Sequence, residues 1–180
     1  MMAEPRIIAV SSSPNHGFSK QPQPAIHLLA GLGVEGDSHC GKTVQHLYLM
    51  RKDASAPNRM QVHLLPAELL DEVNADGFQV DPGGLGENIL TRDVDLLHLP
   101  AGTLLRLGEE AIVELTCLRQ PCAQIDRYQP GLQQRMFSHE DGKRRPRVGV
   151  MGIVTQGGIV RAQDRIRVDL PPEPHRALTT

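Results

Sequence analysis

Gly102-Thr103-Leu104-Leu105-Arg106-Leu107-Gly108-Glu109-Glu110-Ala111-Ile112-Val113-Glu114-Leu115-Thr116-Cys117-Leu118 reads as two β-prone runs hinged on a turn. Gly108-Glu109-Glu110 supplies the turn, and Ala111, Val113, Leu115 and Cys117 recur at the two-residue period of a pleated strand. The spacing predicts an antiparallel hairpin with one face on a core. Outward from it the same signals return. Ile7 to Val10 and Met60 to Leu65 read as strands, and Pro14, Gly17, Pro22 and Pro24 mark a loop before the apolar Ala25 to Ala30. Arg147 to Thr155, the turn Gly157-Gly158 and Ile159 to Val168 repeat the strand, turn, strand pattern. The clearest helix follows Pro66 through Ala67 to Val73 and ends at Gly77, which accepts a left-handed cap. With no Trp, three Phe and two Tyr, the core must be built from Ile, Val and Leu, which suit sheets. These features predict a mainly β fold with short helices, a closed or partly open antiparallel or mixed barrel. The domain runs over 32–170, residues 1–31 add a strand and loop to it, and 171–180, with three prolines, read as a tail.

A chain of 180 residues is long enough for one core without disulfides. Its net charge of -2 offers no global field for nucleic acid or an anionic membrane. No run approaches the ~18 apolar residues of a membrane span. The start Met1-Met2-Ala3-Glu4-Pro5 lacks a signal-peptide pattern, and three cysteines are an odd set, so the expectation is a cytoplasmic protein with reduced thiols.

Of these thiols, Cys122 in Arg119-Gln120-Pro121-Cys122 stands out. It lies past a strand and before Ala123 to Arg127, which can open a short helix. A helix start and a guanidinium such as Arg119 both favour thiolate, the form that attacks electrophiles or binds soft metals. Packing alone is the alternative. Cys117 continues the apolar face of Val113 and Leu115 and reads as an inert core thiol. Cys40, between His39 and His46, matches no zinc-finger spacing.

Gly36 to Thr43 fits the Walker A spacing of glycine, four residues, Gly-Lys-Thr, so a nucleotide-binding P-loop is a rival. Its context is poor: Gly31 and Gly33 break the preceding strand, and Asp37 puts a carboxylate where phosphate would sit. Asp81 to Asn88 carries Gly83, Gly84 and Gly86 before Glu87 and Asn88, either a tight turn or a loop whose backbone approaches a ligand. Arg144 and Arg145, between Lys143 and Arg147 and near Arg135, form a candidate anion clamp or a solvated loop.

In order along the chain, Gly36-Asp37-Ser38-His39, Pro82 to Asn88, and Arg119 to Cys122 resemble the landmarks of the MOSC family, the molybdenum cofactor sulfurase C-terminal domain. The resemblance runs from about Leu32 to Val168. It implies a β-barrel-type fold and matches Cys122 to the family's functional cysteine, which carries sulfur or ligates molybdenum. It implies a molybdenum pterin bound through Cys122, with Gly83, Gly84, Gly86, Glu87, Asn88, Arg144 and Arg145 as candidate cofactor contacts. Arg119, His39 and Asp37 accompany Cys122 as candidate catalytic residues, His39 or Asp37 carrying protons. Two activities follow from the resemblance: reduction of N-hydroxylated compounds, with electrons from a partner protein, or persulfide transfer from a sulfur donor. The chain has neither an iron–sulfur cysteine cluster nor a flavin signature of its own.

Overall fold

The computed structural model describes residues 3–180. The first half contains β1 (Arg6–Ser12), β2 (Gln21–Gln23), β3 (Ile26–Leu29), β4 (Gly33–Val34), α1 (Leu47–Lys52), β5 (Val62–Pro66), α2 (Ala67–Ala75) and β6 (Ile89–Arg92). A 3-10 turn at Leu96–His98 leads to β7 (Leu104–Leu107), β8 (Ala111–Leu118), α3 (Gln124–Tyr128), α4 (Leu132–Arg135), β9 (Phe137–Glu140), β10 (Lys143–Pro146), β11 (Val150–Gln156), β12 (Gly158–Val160) and β13 (Ile166–Asp169).

The expected hairpin is β7–β8, turning at Gly108 with φ +62° and pairing Leu105 with Val113. It anchors an eight-stranded sheet in the order β13-β7-β8-β11-β5-β6-β1-β2. Only β5 and β6 pair in parallel, because α2 connects them as a crossover; the other neighbours are antiparallel. The sheet curls until its two ends meet. Arg6 bridges Arg165, and the Ile7 and Ile166 amides donate to the carbonyls of Asp164 and Pro5 at 2.9 Å. One bridge is a seam rather than a ladder, so the barrel is partly open and mixed, and the closed alternative is corrected.

Burial follows from this curvature. Leu28, Val62, Leu64, Leu105, Val113 and Val150 fill the inside. On the outside Leu65 and Leu90 meet Leu69, Leu70 and Val73 of α2 with Ile125, Leu132 and Met136. Strand β5 is therefore buried on both faces, with His63 its one polar side chain. A small sheet, β12-β3-β4, packs beside the first, and β9–β10 form a separate hairpin.

Three further expectations change. Ile159 to Val168 is not one strand: Gln163 takes φ +73° in a turn, sending β12 and β13 to different sheets. The turn is tied by the Arg161 amide donating to Asp164 Oδ2 at 2.8 Å. Residues 171–180 are no loose tail, since Leu178 is buried and the Leu118 amide donates to the Thr179 carbonyl at 2.8 Å. Finally, Met151 pairs with Cys117 but Gly152 pairs with Leu115, so Thr116 is a bulge residue. The bulge breaks the alternation: Leu118 rather than Cys117 enters the core, and Cys117 is half-buried. Among the described residues no helix is long and apolar enough to cross a membrane.

Candidate functional site

Each of the three ordered motifs sends residues to one cavity of about 660 Å³. Cys122, Arg119, His39, Gly86 and Asn88 line it, and Lys20, His46 and His63 join them from elsewhere in the chain. Phe18, Leu47, Tyr48, Met60 and Met151 make apolar walls. Its size falls in the ~300–1,000 Å³ range of small-molecule sites.

The motif Gly36 to His39 lies in the loop after β4. Asp37 does not line the cavity; it is a buried hub behind it. Its Oδ1 accepts from Lys20 Nζ at 2.8 Å and the His39 amide at 3.0 Å, its Oδ2 from the Ser13 amide at 3.1 Å and Asn88 Nδ2 at 3.2 Å. Although burial alone would raise its pKa, these donors, the His39 and Lys20 side chains foremost, hold it well below the usual carboxylate range. His39 is the member that reaches the cavity, with Nδ1 3.4 Å from Asp37 Oδ1 and 3.3 Å from Lys20 Nζ. Burial lowers its pKa, against the Asp37 hydrogen bond. The His39 ring lies between those of His16 and His46, with centroids 5.6 and 4.4 Å away. His46 is pushed down to about 4 by burial, then by His39 and the cations Arg119 and Lys20, and its Nε2 is buried without a partner.

The P-loop rival fails on this geometry. Strand β4 is two residues long and antiparallel, and the next helix starts at Leu47, beyond Thr43. A phosphate cradle requires a parallel strand feeding directly into a helix.

The glycine loop is built around Glu87 and Asn88. Asn88 Nδ2 donates to the Ser11 carbonyl as well as to Asp37, and its Oδ1 accepts the His63 amide at 3.1 Å, so one side chain joins three segments. Glu87 is fully buried; its Oε1 accepts the Gly83 amide at 2.6 Å. Gly83, at φ +82°, lies where a Cβ would run into the Lys20 carbonyl, so glycine is required to bring the loop against Lys20. Gly84 is buried behind the cavity beside Asp81 and Tyr128.

Arg119 follows the bulge at the end of β8, its amide donating to the Gly149 carbonyl at 3.0 Å. Nη1 donates to the Leu85 carbonyl and lies 3.5 Å from His63 Nδ1. Burial lowers its pKa, while Cys122 and Glu87 favour its charge. Cys122 is half-buried ahead of α3, with Sγ 3.7 Å from Gln124 Oε1.

Arg144 and Arg145 are on β10, outside the cavity lining. Arg144 stacks 3.5 Å over Phe137, and Arg145 pairs with Glu140 at 3.1 Å and donates to the Leu97 carbonyl. Arg135 and Arg147 are paired with Asp76 and Glu72. Of the candidate clamp, Arg135, Arg145 and Arg147 are thus taken up by the protein's own acceptors and Arg144 by an aromatic face. Sequence reasoning missed Lys20 and His63 and met His46 only beside Cys40 in a zinc spacing that failed; none of the three carries a local motif. A lysine in a loop and a histidine inside an apolar strand become site residues only through pairing of distant segments.

The sequence pattern described as the MOSC domain matches residues 51–167. No curated protein matches the chain. Among solved structures, the YuaD protein from Bacillus subtilis is similar with a TM-score of 0.76 at 21% identity, over 94% of this chain and 98% of that one. YiiM from Geobacillus stearothermophilus gives 0.63 at 15%, over 97% and 80% of the two chains. YiiM from Escherichia coli gives 0.61 at 20%, over 95% and 73%. At such identities the likeness is one of fold.

Proposed function

The chain belongs to the MOSC domain family, and on that premise we propose that it binds a molybdenum pterin through the Cys122 thiolate and reduces N-hydroxylated compounds. The observation that carries the reading is the convergence of Cys122, Arg119, His39, Gly86 and Asn88 on one cavity. The residues present fit such a group. A thiolate is a soft ligand suited to the metal, and the buried cations Lys20 and Arg119 suit the anionic parts of a pterin. The buried, unpartnered His46 Nε2 offers one more polar contact. Among the described residues no three His, Cys, Asp or Glu side chains gather as a metal site, which favours a metal arriving with ligands of its own.

When bound, the group supplies a two-electron centre that takes oxygen from nitrogen. The protein holds, orients and protonates. Cys122 would hold the metal, Arg119 would orient anionic groups, and the apolar walls would exclude water from the reacting atoms. Reduction of N–OH to N–H and water consumes two electrons and two protons. His39 carries a proton from solvent to the cavity, while Asp37, already accepting four hydrogen bonds, keeps the ring in place. Electrons come from a partner protein.

A second reading, persulfide transfer by Cys122, is favoured by one feature: neither Cys40 nor Cys117 lines the cavity, so no neighbouring thiol is placed to expel the outer sulfur. Protein made in a host that assembles the cofactor separates the two. The expected result is about one molybdenum per chain, lost in Cys122→Ser; molybdenum no higher than in that variant overturns the first reading. A mass gain of one sulfur at Cys122 after incubation with a cysteine desulfurase would then support the second.

A further inference from the structure

We propose that His63 is a positioning residue that holds the Arg119 guanidinium against Cys122 without neutralising it. The inference rests on Cys122 being the functional thiol. His63 is on β5, 4% exposed, at the floor of the cavity. Its backbone is fixed on both sides by Asn88, whose Oδ1 accepts the His63 amide at 3.1 Å and whose amide donates to the His63 carbonyl at 2.9 Å. Ring Nε2 lies 2.8 Å from the Val148 carbonyl oxygen, which can only accept, so the ring proton is on Nε2. Nδ1 is then a lone pair, and it faces Arg119 Nη1 at 3.5 Å.

The backbone makes room for this ring. Gly149 takes φ +92°, and a Cβ there would run into the Leu64 carbonyl and come within 2.8 Å of His63 Nε2. Burial, then the Arg119 charge, holds the His63 pKa well below its ordinary value against the Val148 and Gly86 backbone carbonyls, so the ring is neutral and keeps a lone pair for Arg119. The same Nη1 also donates to the Leu85 carbonyl. Two neutral acceptors on one nitrogen restrict the swing of the guanidinium. A carboxylate at position 63 would fix it equally well, but would cancel the charge that Cys122 faces. A neutral imidazole gives direction and leaves the charge intact.

The field at Cys122 is read by alkylation with iodoacetate and iodoacetamide at one pH and low salt, followed at the Cys122 peptide by mass spectrometry. Both reagents meet the same sulfur, so the ratio of rates cancels its ionisation and nucleophilicity and reports the charge facing an anionic reagent. Arg119→Gln is expected to lower the ratio about fivefold. His63→Asn places an amide oxygen near the Nδ1 position and should stay within about twofold of wild type. His63→Gln can still donate to Val148 but offers Arg119 no acceptor, and should fall toward Arg119→Gln. A purely structural role, exerted through the Val148 bond, predicts the reverse order of Asn and Gln, and that order overturns the proposal. A wild-type ratio in His63→Gln beside a lowered one in Arg119→Gln overturns it while leaving the site reading intact. An unchanged ratio in Arg119→Gln removes the premise as well. Nitrogen-15 NMR of wild-type protein at neutral pH is an arm that needs no variant: a neutral ring protonated at Nε2 is expected, and an imidazolium or the Nδ1-protonated form overturns it.

Discussion

Glu87 and Asp37 are two buried carboxyls in one site with opposite electrostatics. Asp37 accepts four hydrogen bonds and stays ionised; removing it would strand Lys20, a loss of about 3–5 kcal/mol typical of a broken buried pair. Glu87 has one oxygen on the Gly83 amide and the other buried without a partner. Burial pushes its pKa up to about 7, opposed by the loop amides and Arg119. Because the folded value lies above the ordinary one of 4.5, the native state binds more protons between those values. Stability contributed by Glu87 is therefore present below about pH 4.5 and lost as pH rises through about 7. The difference amounts to ~3 kcal/mol. Urea denaturation of wild type and Glu87→Gln at pH 5 and pH 8 measures it: the variant should gain on the wild type by about that amount at the higher pH, and parallel behaviour would show that the carboxyl ionises freely. The motif order brought both residues into view from sequence, but not their roles. Four donors around Asp37 come from Ser13, Lys20, His39 and Asn88, and only folding assembles them.

Among the elements, β8 shows how far period-two patterning reaches. Its alternation is correct through Leu115 and fails at Thr116, where a bulge shifts the register against β11. The bulge is held by Thr116 Oγ1, 2.7 Å from the Arg59 carbonyl and 3.1 Å from that of Met151, contacts no local pattern encodes. Beyond it the chain delivers Arg119 to the cavity. Helix α1 is the opposite case. None of its residues is fully buried, and Leu47, Tyr48 and Met50 are exposed, so packing adds little to its own hydrogen bonds and the stacking of Lys52 over Tyr48. The neck of its loop is pinned by Asn58, whose Nδ2 donates to the His39 and Gly41 carbonyls at 2.9 and 3.0 Å. Hydrogen exchange should therefore find the α1 amides exchanging at least about 100-fold faster than those of the β8–β11 pairing, with the pinned neck slower than α1. Protection of α1 equal to that of β8 would mean that its apolar side chains are covered.

On the scale of the whole molecule, the barrel and most of its strands were legible from composition and period, but closure was not. Closure depends on how far the sheet curls and on what seals its ends. The residues 171–180 contribute to that seal. Leu178 is 3% exposed in the main core, the Ala101 amide donates to the Arg176 carbonyl, and the Leu118 amide to that of Thr179, both at 2.8 Å. Proline content made this segment read as a tail, yet a segment held at two points over an apolar seat is part of the fold. Deleting 171–180 removes one buried leucine, worth about 2–5 kcal/mol, and two hydrogen bonds, each about 1 kcal/mol net. A loss of ~4–7 kcal/mol in urea denaturation is expected, with Leu178→Ala alone giving the larger part. Because Leu118 immediately precedes Arg119, the truncation should also lower the iodoacetate to iodoacetamide ratio at Cys122. A truncated chain within 0.5 kcal/mol of wild type, about the scatter of surface changes, would return the segment to the status of a tail.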